Sequence, residues 1–184
     1  MGEQFSEVLD AARAGEEWAF SRLYRDLHAA LLRYFGAVAP PDAEDLASET
    51  WLGVARGLQS FEGDERAFRG WLFTIAHRRL VQHWRDAGRR PAQAVDPATF
   101  DTLLATSDTE AEALEAAEGA AAAQALVAGL SPDQAHVVLL RVLGGLSVDE
   151  VAAALGKRPG AVRVLQHRAL RHLAARLSLD RVTR

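Results

Sequence analysis

Residues 146–170 contain a run of side chains suited to fixing one short helix and aiming a second at a polyanion. Ser147 followed three residues later by Glu150 is a capping box, in which side chain and backbone at a helix start satisfy each other's hydrogen bonds. Val148, Val151, Ala152 and Leu155 then recur at i, i+3, i+4 and i+7, the spacing of one buried helix face. Gly156 supplies a left-handed stop, and Pro159 suits the first turn of a following helix. Helix, tight turn, helix is the motif that lays its second helix in the major groove of DNA. At about 100° per residue, Val162, Leu165, Gln166, Ala169, Leu170 and Leu173 gather on the side expected to be buried. Arg163, Val164, His167, Arg168 and Arg171 point the other way, with Lys157 and Arg158 at the helix start. Arg158, Arg163 and His167 are the candidates for base edges and Val164 for a thymine methyl. Lys157, Arg168 and Arg171 are better placed for phosphates.

A second basic segment lies upstream. Residues 66–90 hold seven arginines and one acid, Asp86. Arg78, Arg79, Arg85, Arg89 and Arg90 repel one another unless an anion is present, and phosphate is the natural one. The net charge of −4 hides this, because residues 91–130 carry seven acids and no Lys or Arg, whereas residues 131–184 carry nine basic and four acidic residues. For nucleic-acid binding the local distribution matters, not the total.

These side chains need helices to carry them. The chain is rich in Ala, Leu, Arg and Glu, with no alternating run that resembles a strand, and the expected fold is all-α. Apolar periodicity predicts helices over 5–14, 18–35, from Asp42 through Leu58, and from Phe68 to about Asp86. Residues 59–65 read as a loop. The segment from Pro91 to about Glu110 lacks periodicity and has linker composition. An alanine-rich helix is predicted over 112–130, followed by a second capping box, Ser131 to Gln134, opening a helix through Leu143. Two helical domains, 1–90 and 112–184, joined by an acidic linker over 91–111, are therefore expected. No run of about 18 apolar residues or exported leader is present, which predicts a cytoplasmic protein.

Other chemistries lack their residues. The chain has no cysteine, so thiolate metal sites and disulfides are excluded. The pairs His77/His83 and His167/His172 are six and five apart, neither the i, i+4 spacing with which one helix face holds a metal. No phosphate-binding glycine loop or nucleophile–base signature appears.

Three motifs, in order, resemble those of the extracytoplasmic-function (ECF) sigma factors of bacterial RNA polymerase. Asp42-Ala-Glu-Asp-Leu-Ala-Ser-Glu-Thr-Trp51 is similar to the family's DAEDLxQExF helix, Phe68-Arg-Gly-Trp-Leu-Phe-Thr-Ile-Ala76 to its FRxWLxxIA, and the C-terminal block to its final helix-turn-helix. The likeness spans about residues 15–178. It implies a sigma-2 domain that reads and melts the −10 promoter element and a sigma-4 domain that reads the −35 element, with neither catalysis nor a cofactor.

Asp42, Glu44, Asp45 and Glu49 by themselves suit a helix N-terminus, offsetting its dipole. The resemblance implies that this helix docks on core RNA polymerase, through Asp42, Asp45 and Glu49, with Leu46 as an apolar anchor. It places Arg78, Arg79, Gln82 and Arg85 at −10 DNA, although Arg78 and Gln82 stand where the family commonly has Asn and Asp. The loop from Ser60 to Glu65 resembles one that captures a flipped −10 base, with Phe61, Glu62 and Asp64 as candidates. The linker is either a solvated tether or, as the resemblance implies, a polyanion mimic threading a positive polymerase channel. The resemblance further implies an anti-sigma partner inserted between the two domains. A different class of protein remains possible on the residues alone: a stand-alone helix-turn-helix regulator, which binds duplex without polymerase.

Overall fold

The computed structural model describes residues 4–88 and 110–182, with side-chain surroundings given for 4–88 and 118–176. The linker acids Asp96, Asp101 and Asp108, and Arg89 and Arg90, lie outside the described residues. Eight α-helices follow one another among those described: α1 (Phe5–Arg13), α2 (Glu17–Val38), α3 (Ala43–Gly57), α4 (Glu65–Asp86), α5 (Glu110–Val127), α6 (Pro132–Val142), α7 (Val148–Leu155) and α8 (Pro159–Val182). Short 3-10 turns at Pro40–Asp42 and Leu58–Ser60 bracket α3.

Helix α2 is the spine. Leu23, Leu27, Leu31 and Tyr34 recur at helical spacing and are almost completely buried, each leucine contributing about 1.5–3 kcal/mol by leaving water. Helix α2 packs against α1, α3 and, most extensively, α5. Helices α3 and α4 pair with each other, and α8 closes over α6 and α7. A single hydrophobic core runs from Phe5 of α1 to Val162 of α8. The helices before and after the linker therefore meet face to face. Gly36 shows how closely: a Cβ placed on it would lie 2.7 Å from the Cβ of Ala120 in α5.

Helix ends follow local chemistry. Ser131 and Ser147 each form the complete reciprocal capping box with Gln134 and Glu150. Gly156 adopts φ +62°, the left-handed conformation that stops α7, while Pro159 opens α8. Helix α4 begins at Glu65, three residues before the start that apolar spacing predicts. The cause is Asp64, whose carboxylate accepts the Ala67 backbone N–H at 2.8 Å.

Candidate nucleic-acid interface

The helix-turn-helix is held at both ends of α7. The Glu150 carboxylate accepts the Ser147 backbone N–H, and these capping bonds, helped by Arg66 and Arg141, hold its pKa below the usual carboxylate value. Arg141 also donates to the Leu146 carbonyl. Lys157 forms an ion pair with Asp133 of α6 at 2.8 Å, tying the start of α8 to α6. Val162 and Ala169 are buried beneath the helix, with Leu165, Gln166 and Leu173 partly so. Arg158, Arg163, Val164, His167, Arg168 and Arg171 all face solvent, as their spacing predicts.

Two details of α8 differ from the sequence-based expectation. Leu170 is 53% exposed instead of buried. It lies seven residues from Arg163, hence about 20° away around the helix, on the outward face. Lys157 is half-buried and already matched by Asp133, so its charge is engaged within the protein. A shallow groove runs between α6 and the start of α8, lined by Asp133, Lys157, Arg158, Val164 and Leu165.

The arginine face of α4 is built differently. Arg78, Gln82 and Arg85 fall at i, i+4 and i+7 on one exposed strip. Gln82 donates to Asp86 at 2.8 Å, so part of the strip is internally bonded. Arg79 sits off this line, half-buried beside Gly53 of α3. At the head of the strip Trp71 is partly exposed and stacks on Phe61, ring centroids 4.9 Å apart and planes 28° from parallel. A Cβ on Gly57 would lie 2.8 Å from the Trp71 ring, so glycine there is what lets the indole pack against α3.

Phe61 is only 8% exposed and also meets Phe68 edge-on. It forms the floor beneath Trp71 and is not an open receptor for a base. Asp64 spends its carboxylate on the α4 cap. Glu62 is left as the exposed acid in the middle of this loop. Gly63, at φ +149° with Ala67 and Phe61 crowding its Cβ position, allows the loop to turn so tightly.

On α3, Asp45 and Glu49 are exposed on one face. Asp42 and Leu46 are placed otherwise. Asp42 turns toward α4 and pairs with His83 at 3.0 Å, anchoring the start of α3. Leu46 is 2% exposed and belongs to the core with Trp51 and Val54. One residue beyond Asp45 is about 100° round the helix, which carries Leu46 inside. The apolar residue that shares the acidic face is Leu52, 55% exposed and seven residues, or two turns, beyond Asp45. Its spacing was a readable signal.

Among the described residues no group of three or more His, Cys, Asp or Glu converges in a way that could hold a metal ion, and no helix is long and apolar enough to cross a membrane.

This geometry can be set beside known proteins. Sigma-70 region 2 matches residues 19–90, and Sigma-70 region 4 matches residues 120–173. The ECF RNA polymerase sigma factor BldN of Streptomyces coelicolor is 37% identical over 176 residues, 95% of this chain and 66% of that protein. The ECF RNA polymerase sigma factor ShbA of Streptomyces griseus is 35% identical over 179 residues, 91% of this chain and 92% of that protein. The chain thus spans just under two thirds of the first relative and nearly all of the second. CnrH, solved in complex with the cytosolic domain of CnrY, shares the fold, with a TM-score of 0.59 at 24% identity over 97% of this chain and 99% of that one. Two sigma regions in order, and a relative matched nearly end to end at 35% identity, place this chain in the ECF family of RNA polymerase sigma factors, the subunits that recognise promoters.

Proposed function

We propose a division of labour along the chain, with residues 1–90 acting at core polymerase and the −10 element, residues 112–184 at the −35 element, and residues 91–111 linking them. Asp45 and Glu49 supply charge for the basic docking surface on polymerase, and Leu52 supplies the apolar contact beside them. Arg78 and Arg85 hold −10 backbone, with Gln82 between them and Arg79 at the margin. In the −35 element Arg158, Arg163 and His167 read base edges and Val164 meets a thymine methyl. Arg168 and Arg171 grip phosphate, as does Lys157 once it exchanges Asp133 for DNA.

The observation that carries this reading is the outward face of α8. Arg158, Arg163, Arg168 and Arg171 are exposed with no ion pair among the described residues, after a helix whose start is fixed by the capping box and whose end is fixed by Gly156. Cations left unmatched on a rigid helix are poised to displace counterions from DNA. The protein acts in the cytoplasm, carries out no catalysis, and is held in check by an anti-sigma partner. That CnrH, of the same fold, was solved in complex with the cytosolic domain of CnrY supports a protein partner by analogy of fold.

Run-off transcription tests the function. Core polymerase with this chain should initiate at one position on a matching promoter, and the chain alone should hardly bind that duplex. Tight duplex binding without polymerase, and no initiation with it, would identify a stand-alone regulator instead.

A further inference from the structure

Buried polar side chains among the described residues include Thr50, His77 and His136, together with the hydroxyl of buried Tyr34. Thr50 bonds within its own helix, to the Leu46 carbonyl. The other three meet where the helices before the linker face those after it. The Tyr34 hydroxyl of α2 lies 3.0 Å from Nδ1 of His77 in α4 and 3.4 Å from Nδ1 of His136 in α6. The two imidazoles pack edge to face, centroids 4.9 Å apart, and Trp84 tilts over His136. Around them the seam is closed by Gly36 against Ala120, by Phe73 against Gly144, and by Arg69 donating to the Leu143 carbonyl at 3.3 Å.

The hydrogen-bond pattern requires at least one neutral imidazole to accept the hydroxyl proton, and burial favours the neutral form of both. A tyrosine hydroxyl donates once and accepts through its oxygen. One histidine can therefore take the hydroxyl proton on Nδ1 while the other, in the opposite tautomer, donates its Nδ1–H. Were both protonated, both nitrogens would be donors, the tyrosine proton would lose its acceptor, and two cations would face each other in the core.

We propose that Tyr34, His77 and His136 form an acid-sensitive latch that holds the α1–α4 group against the α5–α8 group, and that the latch must open for the chain to engage a promoter. The second clause rests on the function proposed above. The −10 and −35 elements are, by their names, about 25 base pairs apart, or roughly 85 Å at 3.4 Å per base pair. A closed body of this length is only about 40 Å across. The recognition face of α8 is already exposed, so the latch restrains the reach of the two groups and does not mask either surface.

The titration runs in the matching direction. In the closed seam, burial pushes His77 down to about 4 and His136 down to about 3, the latter also opposed by His77. The charged groups facing them are Asp133 of α6, which raises both, and Lys157 before α8, which lowers both. These two oppose each other as an ion pair. Tyr34, from α2, is pushed above its ordinary value by burial and stays neutral. Opened to water, the histidines return to about 6.5. Closure is therefore fully stabilised above that pH and weakens as pH falls through it toward 4.

The chain lacks cysteine, so Glu7→Cys and Ala153→Cys, both at exposed sites on opposite sides of the seam, give clean spin-label positions in the full-length protein. Pulsed electron–electron distance measurement should give one short, narrow distribution at pH 8. At pH 5.5 the ratio of closed to open chains should fall on the order of a hundredfold, with helical circular dichroism unchanged. In the His77→Asn, His136→Asn double variant the pH dependence should vanish, whether Asn bridges Tyr34 and keeps the seam closed or leaves it open throughout. An unchanged distribution in the parent chain down to pH 5.5 would overturn the latch. So would opening of the double variant at the same midpoint, or opening that coincides with loss of helicity. None of these readouts uses polymerase or DNA, so their failure removes the latch alone; failure of the sigma reading appears separately, as absence of initiation.

Discussion

Helices α3 and α8 each bury one side and present a charged side to a partner, but they are anchored to very different degrees. Six residues of α3 are buried, including Leu46, Trp51 and Val54. Beneath the described part of α8 the fully buried residues are Val162 and Ala169. A deeply seated helix leaves a narrow outward strip, here Asp45, Glu49 and Leu52. A shallowly seated one exposes most of its circumference, so nearly every polar residue of α8 becomes available. The difference teaches that an apolar residue on α3 can serve either fold or partner depending on its angle, whereas on α8 even Leu170 is left outside.

Paired substitutions on α3 would break this contrast most sharply. Leu46→Ala should destabilise the protein by about 2–5 kcal/mol, a fall in melting temperature of roughly 5–15 °C for a chain of this size. Leu52→Asp should leave the melting temperature within a degree or two, as exposed substitutions do, and weaken polymerase binding about tenfold. If thermal denaturation gave the two variants equal losses, the assignment of inward and outward faces would be wrong.

Substitutions on α8 should change recognition with little effect on folding. Arg163→Ala should relax preference at one −35 position by about 1–3 kcal/mol, read from transcription of a promoter set varied base by base. Arg171→Ala should lower all promoters alike and reduce the slope of log affinity against log salt by about one. Uniform depression by Arg163→Ala would move that residue to the phosphate backbone.

Where a feature depends on neighbours in sequence, it was readable. The caps at Ser131 and Ser147, the stop at Gly156 and the outward cations of α8 all follow from spacings of a few residues. Asp64 carried the same type of signal, and reading α4 from its apolar period alone overlooked it. Leu46 was misplaced because adjacency to Asp45 suggested a shared face, although one helical step separates their directions by about 100°. Phe61 lies in a polar loop, and its burial depends on Trp71, ten residues away and on another element. The histidine cluster was beyond reach for a stronger reason. His77 and His136 are separated by 59 residues including the linker, and no local period joins them. Spacing tests for metal ligands, which compare histidines on one helix, pass over a pair contributed by α4 and α6.

Co-purification with core RNA polymerase tests the central claim most directly. Reversing the outward acids of α3, Asp45→Lys with Glu49→Lys, replaces attraction by repulsion at the docking surface and touches no buried residue. The parent chain should be retained by immobilised core polymerase. The double variant, at unchanged helicity and melting temperature, should lose at least about thirtyfold in affinity and all promoter-specific transcription. Retention equal to that of the parent would contradict docking through α3.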